Sequence, residues 1–158
     1  VPLTRGVEPC AQMGKRLGAE AVKQLEQIAA TDDVTLHALR REVTFPLAEK
    51  PAAESGDSET PESITTEIQV LRLGDIYILG LPGEVLVEVG LAIRSQAGLE
   101  NLLIVTLAND AIGYVCHRQA YKEGGYEPGS GTDLAPGAGE IMIEQALALI
   151  EQMKQAQP

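Results

Sequence analysis

A layered α/β fold, one sheet flanked by helices, is predicted by three observations on this 158-residue chain. Three stretches place apolar residues at spacings of three and four, the signature of helices with one buried face. Ile64 to Leu73, Ile76 to Leu81 and Leu102 to Leu107 read as strands of one sheet. Finally, the order from Ile76 to Leu107 is strand, sharp turn, helix, strand, a βαβ unit that sets two parallel strands with their carboxyl ends side by side.

Met13, Leu17, Ala21, Leu25 and Ile28 mark the first amphipathic helix, near Cys10 to Ala30. Val34 to Leu47 follows as a strand, with Val34, Leu36, Ala38, Val43 and Phe45 along it and Pro46 stopping it. Ala48 to Ser63 contains Pro, acidic residues and no large apolar side chain, and is expected to be a mobile acidic surface loop. Gly74 and Asp75 turn the chain from Leu73 into Ile76, which makes a hairpin. After Pro82-Gly83-Glu84, the residues Val85, Val89, Ala92 and Ile93 predict a helix to about Gln96, with Glu84 in its first turn. Leu102 to Leu107 is a continuous aliphatic run, as expected of a strand covered on both faces. Asn109 to Gly139 holds seven Gly and three of the four Tyr without an aliphatic run, which is the composition of a functional or disordered loop. A closing helix over Gly139 to Met153 carries Ile141, Met142, Ala146 and Leu149.

The 12 Lys and Arg stand against 23 Asp and Glu, a formal charge of −11 that repels phosphate backbones and argues against nucleic acid as a partner. No apolar run approaches the roughly 20 residues that span a bilayer, so no transmembrane segment is expected. Cys10 and Cys116 lack the short spacing of zinc knuckles or redox pairs and read as a small buried residue and a loop residue, with a disulfide between them as the alternative.

In open α/β sheets ligands sit beyond the carboxyl ends of the strands. Glu84 follows one such strand, and Asn109, Asp110 and Tyr114 follow its neighbour. A carboxylate at a helix N-terminus is favoured by the macrodipole and kept ionised, as a metal ligand must be, although such carboxylates are also common as plain helix starts.

Leu73-Gly74-Asp75, Leu81-Pro82-Gly83-Glu84, Asn109-Asp110-Ala111-Ile112-Gly113-Tyr114-Val115, Tyr121 and Gly124-Gly125-Tyr126-Glu127 occur in that order. The set resembles the C-terminal part of the catalytic domain of the neutral/alkaline ceramidases, from about Glu67 to Glu127. The resemblance implies that residues 1–158 are the C-terminal portion, an incomplete half, of a larger catalytic domain. In that family a zinc ion is held by two upstream His, by the Glu of Pro-Gly-Glu and by a Tyr, which match Glu84 and Tyr114 here. The implied reaction is hydrolysis of an N-acyl amide such as ceramide to sphingosine and a fatty acid. Asn109, Asp110, Tyr121 and Tyr126 would support the site. The implied partners are the N-terminal half of the same domain and a lipid-like amide, and the implied location is secreted or periplasmic.

Several features depart from the family pattern. His37 lies in a strand and His117 stands where the family carries a small hydroxylated residue, so neither matches a ligand histidine. The family's upstream serine and arginine have no counterpart, and the chain closes on a helix where better-known ceramidases continue into an immunoglobulin-like sandwich, which points to the shorter bacterial type. One carboxylate and one phenol fall short of three protein ligands, so the isolated chain is expected to be inactive and to bind zinc weakly or not at all. A shared ion would require Glu84 and Tyr114 at the same end of the sheet, with Cα atoms within roughly 12 Å. Tyr114, on a Gly-rich loop, is expected to be free to swing. The alternative reading is a non-catalytic α/β module that binds a ligand or protein without metal. A thiol nucleophile at Cys116 beside His117 is disfavoured, because adjacent residues of an extended chain point to different sides.

Overall fold

A computed structural model describes residues 5–30, 32, 34–49 and 62–156, and the chain divides into two compact units, Val1–Val34 and Thr35–Pro158. Most of the expected mobile acidic loop, residues 50–61, lies outside the described residues.

The first unit carries helix α1, Val7–Leu25. It starts earlier than its apolar spacing predicts, because Pro9 falls in the first turn, where a missing N–H leaves no intrahelical bond unmade. It also ends earlier, tightening at Leu25 into turns in which the amides of Gln27 and Ile28 donate to the carbonyls of Gln24 and Leu25. None of its residues is buried.

The second unit holds a four-stranded sheet in the order β1-β2-β3-β5, made of β1 (Leu36–Pro46), β2 (Ser63–Leu73), β3 (Ile76–Gly80) and β5 (Leu102–Val105). Strands β1, β2 and β3 pair antiparallel, whereas β3 and β5 run parallel, as the βαβ reading requires. The hairpin between β2 and β3 turns at Gly74, whose φ of 59° suits a residue without Cβ. Between β3 and β5 come a two-residue strand β4 (Glu84–Val85) and helix α2 (Val87–Ala97), which stops at left-handed Gly98. Strand β6 (Tyr114–Val115), helix α3 (Arg118–Glu123) and helix α4 (Ala138–Gln155) complete the chain.

Alternation puts Val43, Phe45, Ile68, Val70, Tyr77 and Leu79 on one face of the sheet, all buried. Helix α4 closes that face with Met142, Ala146, Leu149, Ile150 and Met153, and packs on α2 as well as on β1 and β2. Burying each large side chain of this kind contributes about 1.5–3 kcal/mol. Polar ties frame the layer: Arg41 donates to Gln145 and Gln152 of α4, and the Lys154 ammonium donates to the carbonyl of Ala97, satisfying the last turn of α2.

Three expectations need correction. The run Leu102 to Leu107 is covered on one face only: Leu102 is buried, but Leu103, Val105 and Leu107 are 54%, 47% and 57% exposed. Glu84 does not occupy the first turn of α2; its amide donates to the Gly113 carbonyl and that of Leu86 to Val115, so a ladder consumes the backbone and the helix begins at Val87. The stretch from Asn109 to Gly139 is not a continuous loop, since it contains β6 and α3.

Candidate functional site

Beyond the carboxyl ends of β3 and β5 the chain builds a separate two-stranded parallel ribbon from β4 and β6, with Glu84 opposite Tyr114 and Val85 opposite Val115. Neighbouring strands lie about 4.8 Å apart, so Glu84 and Tyr114 sit well inside the separation that a shared ion allows. The Glu84 carboxylate, as a hydrogen-bond acceptor and then through its charge, followed by burial and the charges of Tyr126 and Glu127, holds the Tyr114 phenol above its usual range, in its protonated form.

Glycines make this approach geometrically feasible. Gly83 has φ 78°, and a Cβ there would lie 2.5 Å from the Gly113 carbonyl oxygen. A Cβ on Gly131 would meet the Tyr114 ring at 2.8 Å and the Tyr126 carbonyl at 2.9 Å. The amide of Tyr114 donates to Gly131, and the Tyr126 ring stands edge-on to the Tyr114 ring with centroids 5.9 Å apart. Tyr114 is therefore clamped by ladder, glycine contact and ring contact. Where the sequence predicts a loop free to swing, Tyr114 lies in a short strand, and the Gly-rich composition permits close packing around it.

Glu84 and Tyr114 open into a cavity of ≈ 500 Å³ together with Glu88, Thr106, Leu107 and Glu127. Three carboxylates on one cavity favour a cationic occupant. Among the described residues, however, no three His, Cys, Asp or Glu side chains are grouped to hold a metal ion. Glu84 and Tyr114 thus present two adjacent oxygen donors, which fits part of a zinc site and leaves it short of the three protein ligands such sites need. A second cavity, ≈ 360 Å³, is lined by Leu47, Ile64, Ile112, Gly113, Gly131 and Thr132 and holds neither of the two.

The supporting residues divide. Tyr126 joins Tyr114 directly. Asp110 does not line the cavity: its carboxylate accepts from buried Thr66 and from the Ala111 amide, bonds that hold its pKa below the usual value, while its carbonyl accepts from Gly83. It fastens the loop to β2 and to the turn before Glu84. Asn109 takes φ 70° and stands with its amide close to Gly80, next to Leu107 at φ 53°. Two non-glycine residues in this region mark stored backbone strain. Tyr121 points elsewhere, donating to the Leu134 carbonyl at 2.8 Å, and burial pushes its phenol up to about 12.

His37 lies in β1, and His117 caps α3 with Nε2 3.8 Å from the Glu88 carboxylate. Cys10 is exposed and Cys116 buried, both as free thiols; burial and then Glu127 and Glu88 push the Cys116 pKa up, which disfavours the thiolate a nucleophile needs. Sequence reasoning missed Glu88, Thr106 and Glu127. Glu127 had a signal, since it closes the Tyr126-Glu127 motif; Glu88 and Thr106 had none.

No family model matches the chain. A curated neutral ceramidase of Mycobacterium tuberculosis is 36% identical over 69 residues, 40% of this chain and 11% of that protein. A solved structure described as a ceramidase complexed with C2 aligns with a TM-score of 0.50 and 25% identity over 63% of this chain and 16% of that one. The neutral ceramidase of Pseudomonas aeruginosa aligns at 0.44 with 30% identity, over 59% of this chain and 16% of that one. The chain resembles the neutral ceramidases in sequence and in fold, and its matched part spans 11% of the curated relative and 16% of the first solved chain.

Proposed function

We propose that this chain is the part of a zinc-dependent, neutral-ceramidase-like amide hydrolase that supplies two metal ligands, Glu84 and Tyr114. The observation that carries the reading is the β4–β6 ribbon, which sets these two side chains opposite each other in register at the mouth of an acidic cavity. The remaining ligands, two imidazoles, would come from the N-terminal half of the same domain. Zinc bound there would supply a water of lowered pKa and a Lewis acid for the amide carbonyl.

This chain's residues would do the positioning. Glu84 offers a carboxylate fixed by its ladder amide, and Tyr114 offers a phenol held by the Gly131 contact and the Tyr126 ring. The Glu84 carboxylate beside it favours the protonated phenol of Tyr114. Zinc held by these residues would supply positive charge that favours the deprotonated form instead. Asp110 and Thr66 would keep the Pro82-Gly83 turn in place beneath both. The substrate would be an N-acyl amide of the ceramide class. A secreted or periplasmic location belongs to the same proposal and is checked by fractionating cells that make the full-length parent.

The test is hydrolysis of an N-acyl sphingosine by the full-length parent. Tyr114→Phe should lower turnover by about 10- to 100-fold, the range for losing a group that tunes a metal site. It removes one oxygen and little packing, so the fold should persist; unchanged turnover would mean that Tyr114 only fills space.

A further inference from the structure

The sheet has a second face, and it is apolar as well. Residues alternating with the buried set are Leu36 and Ala38 of β1, Leu71 and Leu73 of β2, Ile76 and Ile78 of β3, and Leu103 and Val105 of β5. The registers align them across all four strands: Ala38 opposes Leu71, Leu71 opposes Ile78, and Ile78 opposes Leu103, with Leu36, Leu73 and Ile76 in the next row. Leu36, Ile76, Leu103 and Val105 are 67%, 42%, 54% and 47% exposed, whereas Phe45, Ile68, Val70 and Leu79 on the opposite face are fully buried. Aliphatic residues on both faces of a strand are the pattern of a sheet covered twice. A contiguous apolar patch of this kind marks a contact surface.

The patch has direction. Toward the other end of β1 and β2 the same face turns polar, with Arg40 paired to Glu67 and Thr44 bonded to Thr65. Along β5 it stays apolar to the strand end at Val105, and just beyond it exposed Leu107 lines the cavity that holds Glu84 and Tyr114. The apolar face therefore ends next to the open site in sequence.

We infer that this outer face is an interlayer contact, covered by an apolar layer from the remaining part of a ceramidase-length polypeptide, the part that would also bring the missing ligands to the cavity. The inference rests on the reading above that the chain belongs to a larger protein, and it names the surface at which the two parts meet. A second copy of this chain is the poorer occupant, since each copy carries a formal charge of −11 and like charges oppose self-pairing. The relatives supply the length: the matched segment is 16% of the solved ceramidase chain, which leaves ample polypeptide for another layer.

The test adds one probe cysteine at a time to the full-length parent carrying Cys10→Ser, with buried Cys116 left in place: Leu103→Cys on the outer face, Glu144→Cys on exposed helix surface, and Val105→Cys as a second outer probe. Maleimide reaction is followed at each site by peptide mass, in native buffer and in denaturant, and zinc content is measured separately on the same samples. The expected result is that both outer probes react at least about tenfold more slowly than Glu144→Cys when native and equally fast when unfolded. Equal native rates, or a protein that matures at 158 residues with its outer face reactive, would overturn the inference. So would protection that appears only as the protein dimerises on a sizing column, because the occupant would then be a second copy. A parent that protects the face but holds no zinc would sink the functional reading and leave the interlayer contact standing.

Discussion

Helices α1 and α4 carry the same kind of sequence signal and meet opposite fates. Both are amphipathic, 19 and 18 residues long, with apolar residues three and four apart. In α4 that stripe puts Met142, Ala146, Leu149, Ile150 and Met153 out of water; in α1 none is buried, and Met13, Leu17 and Leu25 are 70%, 74% and 67% exposed. Periodicity specifies that a helix has an apolar face, and only a complementary surface decides whether the face is stabilising. The two sides of the sheet repeat the lesson, with Phe45, Ile68 and Leu79 fully buried on one and Leu103 and Val105 open on the other.

Four substitutions sharpen or break this contrast. The largest effect is expected from Leu149→Ala in α4, which opens a cavity in a site 1% exposed and should cost about 2–5 kcal/mol in denaturant unfolding. A loss below 1 kcal/mol would show that α4 is loosely seated. Gly131→Ala should come next, at about 1–3 kcal/mol, because the added methyl meets the Tyr114 ring and the Tyr126 carbonyl. Near-ultraviolet circular dichroism of the tyrosines should change with it; an unaltered spectrum would mean that the ribbon gives way freely.

Tyr121→Phe leaves the Leu134 carbonyl without its donor and should cost about 0.5–1.5 kcal/mol. It also carries a pH signature. The folded-state phenol is raised from 10.0 to about 12, so its contribution is fully present below pH 10 and is lost as pH climbs through 12. Wild type should lose stability across that window, and the Phe variant should lose less; parallel profiles would contradict the assignment. The smallest effect is expected from Leu17→Ala in α1, within about 0.5 kcal/mol, as for other exposed positions. A loss comparable with that of Leu149→Ala would mean that the α1 stripe is covered after all.

The sheet was legible because alternation and aliphatic runs persist over five or more residues in β1, β2 and β3, and the βαβ order then set β5 parallel. The ribbon was not. Strands β4 and β6 are two residues each, too short for any period to show, and they pair residues 84 and 114 across thirty positions. Glu84 was therefore placed in a helix, and Tyr114 on a loose loop, by reasoning that saw only local pattern. The glycines around Tyr114 look alike in sequence whether they confer freedom or allow contact, and only the 2.8 Å approach at Gly131 tells which. Glu84 and Tyr114 stand out in the sequence only through the motif set, and topology accounts for their lying beyond the carboxyl ends of the strands.

Whether Glu84 and Tyr114 share one metal ion is the decisive question. Elemental analysis of the proposed full-length protein, purified without added metal, should give one zinc per polypeptide, and Glu84→Gln should lower that content severalfold while Tyr114→Phe lowers it less, a carboxylate being the stronger ligand. Zinc content unchanged by Glu84→Gln, in a protein that keeps its fold by circular dichroism, would contradict the shared site.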